Sequence, residues 1–192
     1  MVRVPLTQRP RDFAYLLFFA IHIPATLLID LQSIYPKAWV PAAIAALPRY
    51  YVDMSGDPLI GSAMGYFGPS QQQTYEWLRA FMFLEAVFQL PTFVLGIRGL
   101  WKGSTSIYTL LLVYAASTAT TTIPCITTVL SLPSAPVPMP GGVSLTSEQR
   151  VLLLSSYVPF FLVPFVMAID MAIRIHKRPA LSTASREANK KK

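Results

Sequence analysis

Charge, cysteine and histidine are all scarce in this chain, and each shortage removes a class of protein. Of the 192 residues only 13% are charged, nine of them acidic, with one cysteine and two histidines. The single cysteine, Cys125, excludes an intrachain disulfide and any cysteine-built metal centre, which leaves it the role of a small buried hydrophobe. With 53% hydrophobic residues and a mean hydropathy of +0.47, the balance excludes an ordinary soluble domain and fits a membrane protein. The net charge of +7 does not point to nucleic acid, because the basic residues lie in the ends and short connections and no RNA- or DNA-binding motif accompanies them. No cofactor and no metal is expected.

What the chain does have is apolar runs. The stretch from Glu76 to Trp101 carries Glu85, Gln89 and Pro91 in its middle and tryptophans near both ends. A run of about 20 apolar residues crosses a bilayer. A carboxylate inside one costs roughly 2.5–3.5 kcal/mol on insertion scales, so Glu85 must face protein or a wet cavity and is a candidate functional group. Gln89, one helical turn on, points the same way. Three further runs complete an all-α, four-transmembrane-helix bundle with proline-kinked helices and a central ligand cavity. The spans are expected at about 13–35, 76–100, 105–130 and 150–173, so that residues 13–173 form one membrane domain between an N-terminal segment (1–12) and a basic tail (174–192) expected to be disordered. Residues 36–75, broken by five prolines, are expected to cap one membrane face, with short interfacial turns at 41–47 and 49–54. The connection at 131–149 has four prolines and an extended path, with Ser147 as a helix-cap candidate.

An even number of spans puts both termini on one side. That side holds twelve of the sixteen lysines and arginines, so the positive-inside rule places both termini in the cytoplasm. Every span has an internal proline: Pro24, Pro91, Pro124, and Pro159 with Pro164. Each frees the carbonyl four residues earlier, and in lipid those carbonyls need partners or a cavity. At a rise of about 1.5 Å per residue, Asp30 and Glu85 lie roughly 8 and 13 Å inside the non-cytoplasmic end, with Thr120 and Tyr157 at comparable depth. Two carboxylates in one layer, with no mid-span lysine or arginine, can share a proton or hold a cation. A greasy amine satisfies them, its rings meeting Phe81, Phe88, Phe93, Tyr114 and Tyr157 where these face inward. Asp30 reads equally well as a wetted acid at a span end. His22 lies about 80° around and 12 Å along a continuous helix from Asp30, sharing its stripe without touching it; a hydrogen-bonded core role suits it as well as ligand contact. Asp170 precedes Arg174 by one turn and is expected to pair with it. Trp39, Trp77 and Trp101 read as interfacial anchors.

Five segments also carry a family pattern: HIPATLLIDLQSIYP (22–36), RYYVDMSGDPLI (49–60), FLEAVFQLP (83–91), TTTIPCITTVL (120–130) and SYVPFFLVPF (156–165). Together they resemble the sigma-2 receptor family, which stands with the emopamil-binding-protein sterol isomerases in the EXPERA group. The resemblance implies a multi-pass protein of the endoplasmic reticulum membrane, often a homodimer, that binds sterols or cationic amphiphiles; the paired acids in a proline-broken bundle, with no tryptophan in mid-span, point to a binding protein that is not an enzyme. It implies that Asp30 and Glu85 are paired pocket acids, that Asp57 is a further family acid in the loop, and that Gln89 and Tyr157 line the cavity. Animal members are linked to cholesterol trafficking and a membrane transporter; a similar fungal branch is linked to mitochondrial precursors at the reticulum surface. Two alternatives therefore stand beside the binding protein: an adaptor in precursor targeting or quality control, and a sterol double-bond isomerase using Glu85 or Asp30 with His22. A dilysine retrieval signal is incomplete, since Lys190 fits it but Asn189 and Ala188 do not.

Overall fold

Four helices in the computed structural model, which describes residues 4–135 and 144–190, are long and apolar enough to cross a membrane: Pro10–Ser33, Glu76–Lys102, Thr105–Ser131 and Ser147–Lys177. The prolines at 136, 138 and 140, and with them part of the expected extended connection, lie outside the described residues, as does Arg3.

The first helix, α1 (Pro10–Leu28), opens with Pro10, whose missing N–H is no loss in a first turn, and with Asp12, which suits the positive end of the helix dipole. It continues past Pro24 and stops at Ile29, whose φ of −126° and ψ of −64° are not helical. The chain then takes one 3₁₀ turn, Asp30–Ser33. Gln32 holds this break by donating its amide to the Leu28 and Ile44 carbonyls, at 2.5 and 2.8 Å.

The connection that follows is a string of short helices: α2 (Ala42–Ala45), α3 (Leu47–Ser55), α4 (Pro58–Ala63) and α5 (Pro69–Thr74). Proline in the first turn of α3, α4 and α5 sets where each begins, and Gly56, in the left-handed region at φ 68°, ends α3. The second span is two helices, α6 (Glu76–Leu84) and α7 (Leu90–Lys102), joined by a π-helical turn over Glu85–Gln89. Pro91 cannot donate to Val87, and the wider turn absorbs that missing bond. Thr92 covers the loosened backbone by donating its hydroxyl to the Phe88 carbonyl at 2.7 Å.

The third span, α8 (Tyr108–Ser131), explains its threonine content in the same way. Thr120, Thr121, Thr122 and Thr128 each donate to a carbonyl one turn back, so the hydroxyls are satisfied without water. The fourth span lies in α9 (Ser147–Lys190). Its cap is Thr146 rather than Ser147: the Thr146 hydroxyl accepts from the Gln149 amide and Gln149 Oε1 from the Thr146 amide, each at 3.1 Å, a reciprocal capping box. The tail expected to be disordered instead continues α9 to Lys190, in a segment with no glycine to interrupt it.

In the bundle α8 packs along α9 and α1 along α7. Gly96 permits the second contact, because a Cβ there would stand 2.7 Å from the Phe19 ring. Phe19, Phe93 and Tyr114 form the centre of the core, Phe19 stacking on Phe93 at 5.5 Å. Among lipid tails such burial gains little from leaving water, so its worth lies in close fit. Leu17, Ile21, Val94, Leu95 and Val113 point outward, as lipid-facing residues do.

One end of the bundle is tied by ions. Asp12 accepts from Arg9 and Arg174, each at 2.6 Å, and Asp170 from Arg174 at 2.7 Å, Arg11 at 2.8 Å and Tyr15 at 3.2 Å. Arg9 also donates to the Leu100 carbonyl at 2.8 Å, near the C-terminus of α7. Arg174 also donates to the Tyr108 hydroxyl of α8 at 3.5 Å, so the network joins all four spans, and it includes the expected pair between Asp170 and Arg174.

Candidate functional site

The opposite end of the bundle encloses a cavity of about 270 Å³. Its walls come from all four spans and from the short helices, which contribute Tyr51, Leu59 and Ile60. Two backbone irregularities put its acids in place. The break at Ile29 turns Asp30 off the end of α1, and the π turn carries Glu85 and Gln89. The continuous helix expected through Asp30 does not exist. Instead of lying about 12 Å along one helix, His22, Asp30 and Glu85 each present a ligand atom within 4.8 Å of the others. The cause is physical: Gln32 caps the Leu28 carbonyl and lets α1 end two residues before the acid.

Glu85 accepts a hydrogen bond from the Thr26 hydroxyl at 2.5 Å, and its Oε1 is 3.8 Å from His22 Nε2. The His22 ring is clamped by Phe93 and Phe160, with centroids 4.8 and 4.4 Å away, and its Nδ1 is buried without a hydrogen-bond partner. Glu85 keeps only 15% of its side chain exposed. No lysine or arginine is among the described residues on the wall. If both acids ionised, their repulsion within 4.8 Å would be at least about 3.5 kcal/mol at an effective dielectric of about 20. The site therefore favours a cation or a retained proton.

Asp57 is built differently. It does not line the cavity. It caps α4, accepting from the Leu59 and Ile60 amides at 2.8 and 3.1 Å, and also from the Tyr51 and Tyr157 hydroxyls at 2.8 and 2.9 Å. Burial pushes its carboxyl above the usual range, and these four hydrogen bonds pull the other way. The Tyr51 phenol is pushed up by its own burial and then by the Asp57 charge beside it. Asp57 is thus a fully satisfied acid that fixes two tyrosines on the cavity wall.

Of the residues expected at the site, the structure brings His22, Asp30, Glu85, Gln89 and Tyr157 to one cavity. Thr120 is not among them. It is exposed on the outer face of α8 and bonded to the Ala116 carbonyl, while Thr118, Thr121, Thr122 and Cys125 face inward. Depth along the helix was the wrong coordinate, because rotation about its axis decides which threonine looks in. Phe81 and Tyr157 line the cavity as expected, but Phe88, Phe93 and Tyr114 belong to the packed core instead. Sequence reasoning missed Tyr51, Leu59, Ile60 and Phe160. The Tyr51 signal was available in the RYYVDMSGDPLI segment, where a tyrosine stands six residues before the acid that holds it. Chemically, the arrangement can hold a positive charge on two carboxylates, present aromatic and aliphatic surface to its carrier, or exchange a proton through His22 and Glu85.

The model of the EXPERA family (expanded EBP superfamily) matches residues 43–171. The chain is 34% identical over 169 residues to sigma intracellular receptor 2 of Homo sapiens, covering 87% of this chain and 90% of that protein. To the receptor of the same name in Xenopus tropicalis it is 31% identical, over 83% of this chain and 86% of that protein. It is also similar to efficient mitochondria targeting-associated protein 19 of Saccharomyces cerevisiae, 28% identical over 83% of this chain and 95% of that protein.

Proposed function

The chain belongs to the sigma-2 receptor branch of the EXPERA superfamily, and from that membership we propose a non-enzymatic protein of the endoplasmic reticulum membrane that takes a sterol or a cationic amphiphile into its cavity. One observation carries the reading: Asp30 and Glu85 meet in an apolar cavity with no lysine or arginine among the described residues on its wall. A ligand amine meets the carboxylates, and its hydrophobic body lies against Phe81, Tyr157 and Phe160. Both termini face the cytoplasm, and the protein acts in sterol trafficking or homeostasis through partners, among them a second copy of itself and a membrane transporter. Binding of a labelled sterol, competed by a cationic amphiphile, tests this on the purified protein. Saturable sterol binding to the wild type, with competition by the amphiphile that Glu85→Gln weakens, supports the reading; no binding to the wild type sinks it.

A second reading is an adaptor for mitochondrial precursors at the reticulum surface, supported by the likeness to efficient mitochondria targeting-associated protein 19 of Saccharomyces cerevisiae. Replacing Arg98 and Lys102 and deleting residues 177–192 should then impair precursor handling; unchanged handling counts against it. The isomerase alternative draws support from the approach of His22 to Glu85, 3.8 Å apart, which could serve as an acid and base pair. Sterol turnover by the purified protein would revive it.

A further inference from the structure

His22 is 92% buried by a residual exposure of 8%, yet neither of its ring nitrogens has a hydrogen bond: Nδ1 is enclosed without a partner, and Nε2 stands 3.8 Å from Glu85 Oε1, beyond hydrogen-bond reach. A buried imidazole beside two carboxylates with no counter-charge is an unusual residue to leave unsatisfied. We propose that His22, Asp30 and Glu85 form a site for one divalent transition-metal ion, zinc in the first instance, with a coordination position open to the cavity.

Geometry, charge and donor type each support the assignment. One ligand atom from each residue lies within 4.8 Å of the other two. Tetrahedral zinc bonds of about 2.0–2.1 Å place neighbouring donors roughly 3.4 Å apart, so the 3.8 Å between His22 Nε2 and Glu85 Oε1 needs little closure. Two carboxylates and a neutral imidazole cancel the charge of a dication, whereas one amine leaves a negative charge over. A donor set of one nitrogen and two oxygens, with three protein ligands, suits zinc and its neighbours rather than calcium or magnesium, which take more oxygens. Three protein ligands and a vacant fourth position is also the pattern of zinc sites that accept a further ligand.

The supporting contacts are in place. Thr26 orients the Glu85 carboxylate with its hydroxyl, as an outer-shell group does for a metal ligand. The imidazole is held by the Phe93 and Phe160 rings, in place of the hydrogen bond that commonly fixes a ligating histidine. This replaces the expectation that the chain holds no metal. It also deepens the function proposed above, because metal and amine use the same carboxylates and exclude one another. Metal retention is nevertheless measured with no organic ligand present, so the two ideas can fail separately.

The test uses full-length protein in detergent, carrying no polyhistidine tag and with the exposed His176 replaced by alanine. Protein loaded with zinc and passed through a desalting column should retain about one ion per chain by mass spectrometry, and cobalt should give the intense visible bands of a tetrahedral site. Glu85→Gln, Asp30→Asn and His22→Gln should each weaken zinc binding at least tenfold, while Thr120→Ala should retain it. Zinc should raise the apparent Kd of a labelled cationic amphiphile at least tenfold, an effect that EDTA reverses. If the His22 variant does not fold, the two amide variants decide. A wild type that retains no zinc, or amide variants that retain as much as the wild type, overturns the assignment. Amphiphile binding that persists in EDTA while zinc is not retained removes the metal site and leaves the amine pocket standing.

Discussion

The two ends of the bundle hold buried acids in opposite conditions. At one end Asp12 and Asp170 are 4% and 5% exposed, and three arginines and a tyrosine fill their acceptor positions. At the other, Asp30 and Glu85 share a cavity whose described wall has no lysine or arginine, and Glu85 has a threonine for its hydrogen-bond donor. The saturated cluster has nothing left to bind and serves to clamp the four spans. Its counterpart is short of positive charge, and that shortage is what a ligand or an ion can fill. Asp57 shows that the distinction is not one of location: beside the cavity, it is saturated by four donors and acts as a structural post.

The comparison can be broken most severely at the clamp. Arg174→Met leaves Asp12 and Asp170 short of a partner, and should destabilise the protein by about 3 kcal/mol in detergent unfolding; a loss under about 0.5 kcal/mol would mean the clamp is decorative. The same acid-to-amide change made at both ends should then give opposite results. Asp170→Asn disturbs three charge-assisted or phenolic bonds and should cost about 2 kcal/mol, while Glu85→Gln relieves an uncompensated acid and should leave stability within about 0.5 kcal/mol or raise it. Equal losses in the two would erase the difference. Gln89→Lys makes one end imitate the other by supplying a cation one turn from Glu85. It should weaken amphiphile binding at least about tenfold, or 1.4 kcal/mol, in an equilibrium binding assay. The smallest effect is expected of Thr120→Ala, which should change stability by less than about 0.5 kcal/mol and leave ligand affinity as it is, since that hydroxyl bonds its own helix on the lipid side.

Much of this was legible before any coordinates. Apolar run length and internal acids are local properties of sequence, so the four long helices, the place of Glu85 within the second of them and the pairing of Asp170 with Arg174 could be read directly. The family pattern pointed to Asp30, Gln89 and Tyr157. What the sequence hid were the places where backbone regularity fails. A helix end at Ile29 depends on Gln32 folding back to the Leu28 carbonyl, and a π turn at Glu85 depends on how Pro91 is accommodated. Neither follows from hydropathy, yet together they bring His22, Asp30 and Glu85 to one place. Thr120 was misplaced for a related reason: four threonines in five positions fix the depth of a polar patch and say nothing of which one faces inward. The contribution of Tyr51, Leu59 and Ile60 needed the path of the short helices, which proline spacing alone does not determine.

The account rests on recognition of positive charge by unpaired carboxylates, and the most direct measurement compares a cationic amphiphile with its uncharged isostere of the same shape. Equilibrium binding of both would be measured in EDTA on the wild type, Asp30→Asn and Glu85→Gln. The wild type should prefer the cation at least about tenfold, and both variants should lose that preference while binding the neutral compound as before. If all three proteins bind the two compounds with equal affinity, the cavity reads shape alone and the unpaired acids are not its recognition element.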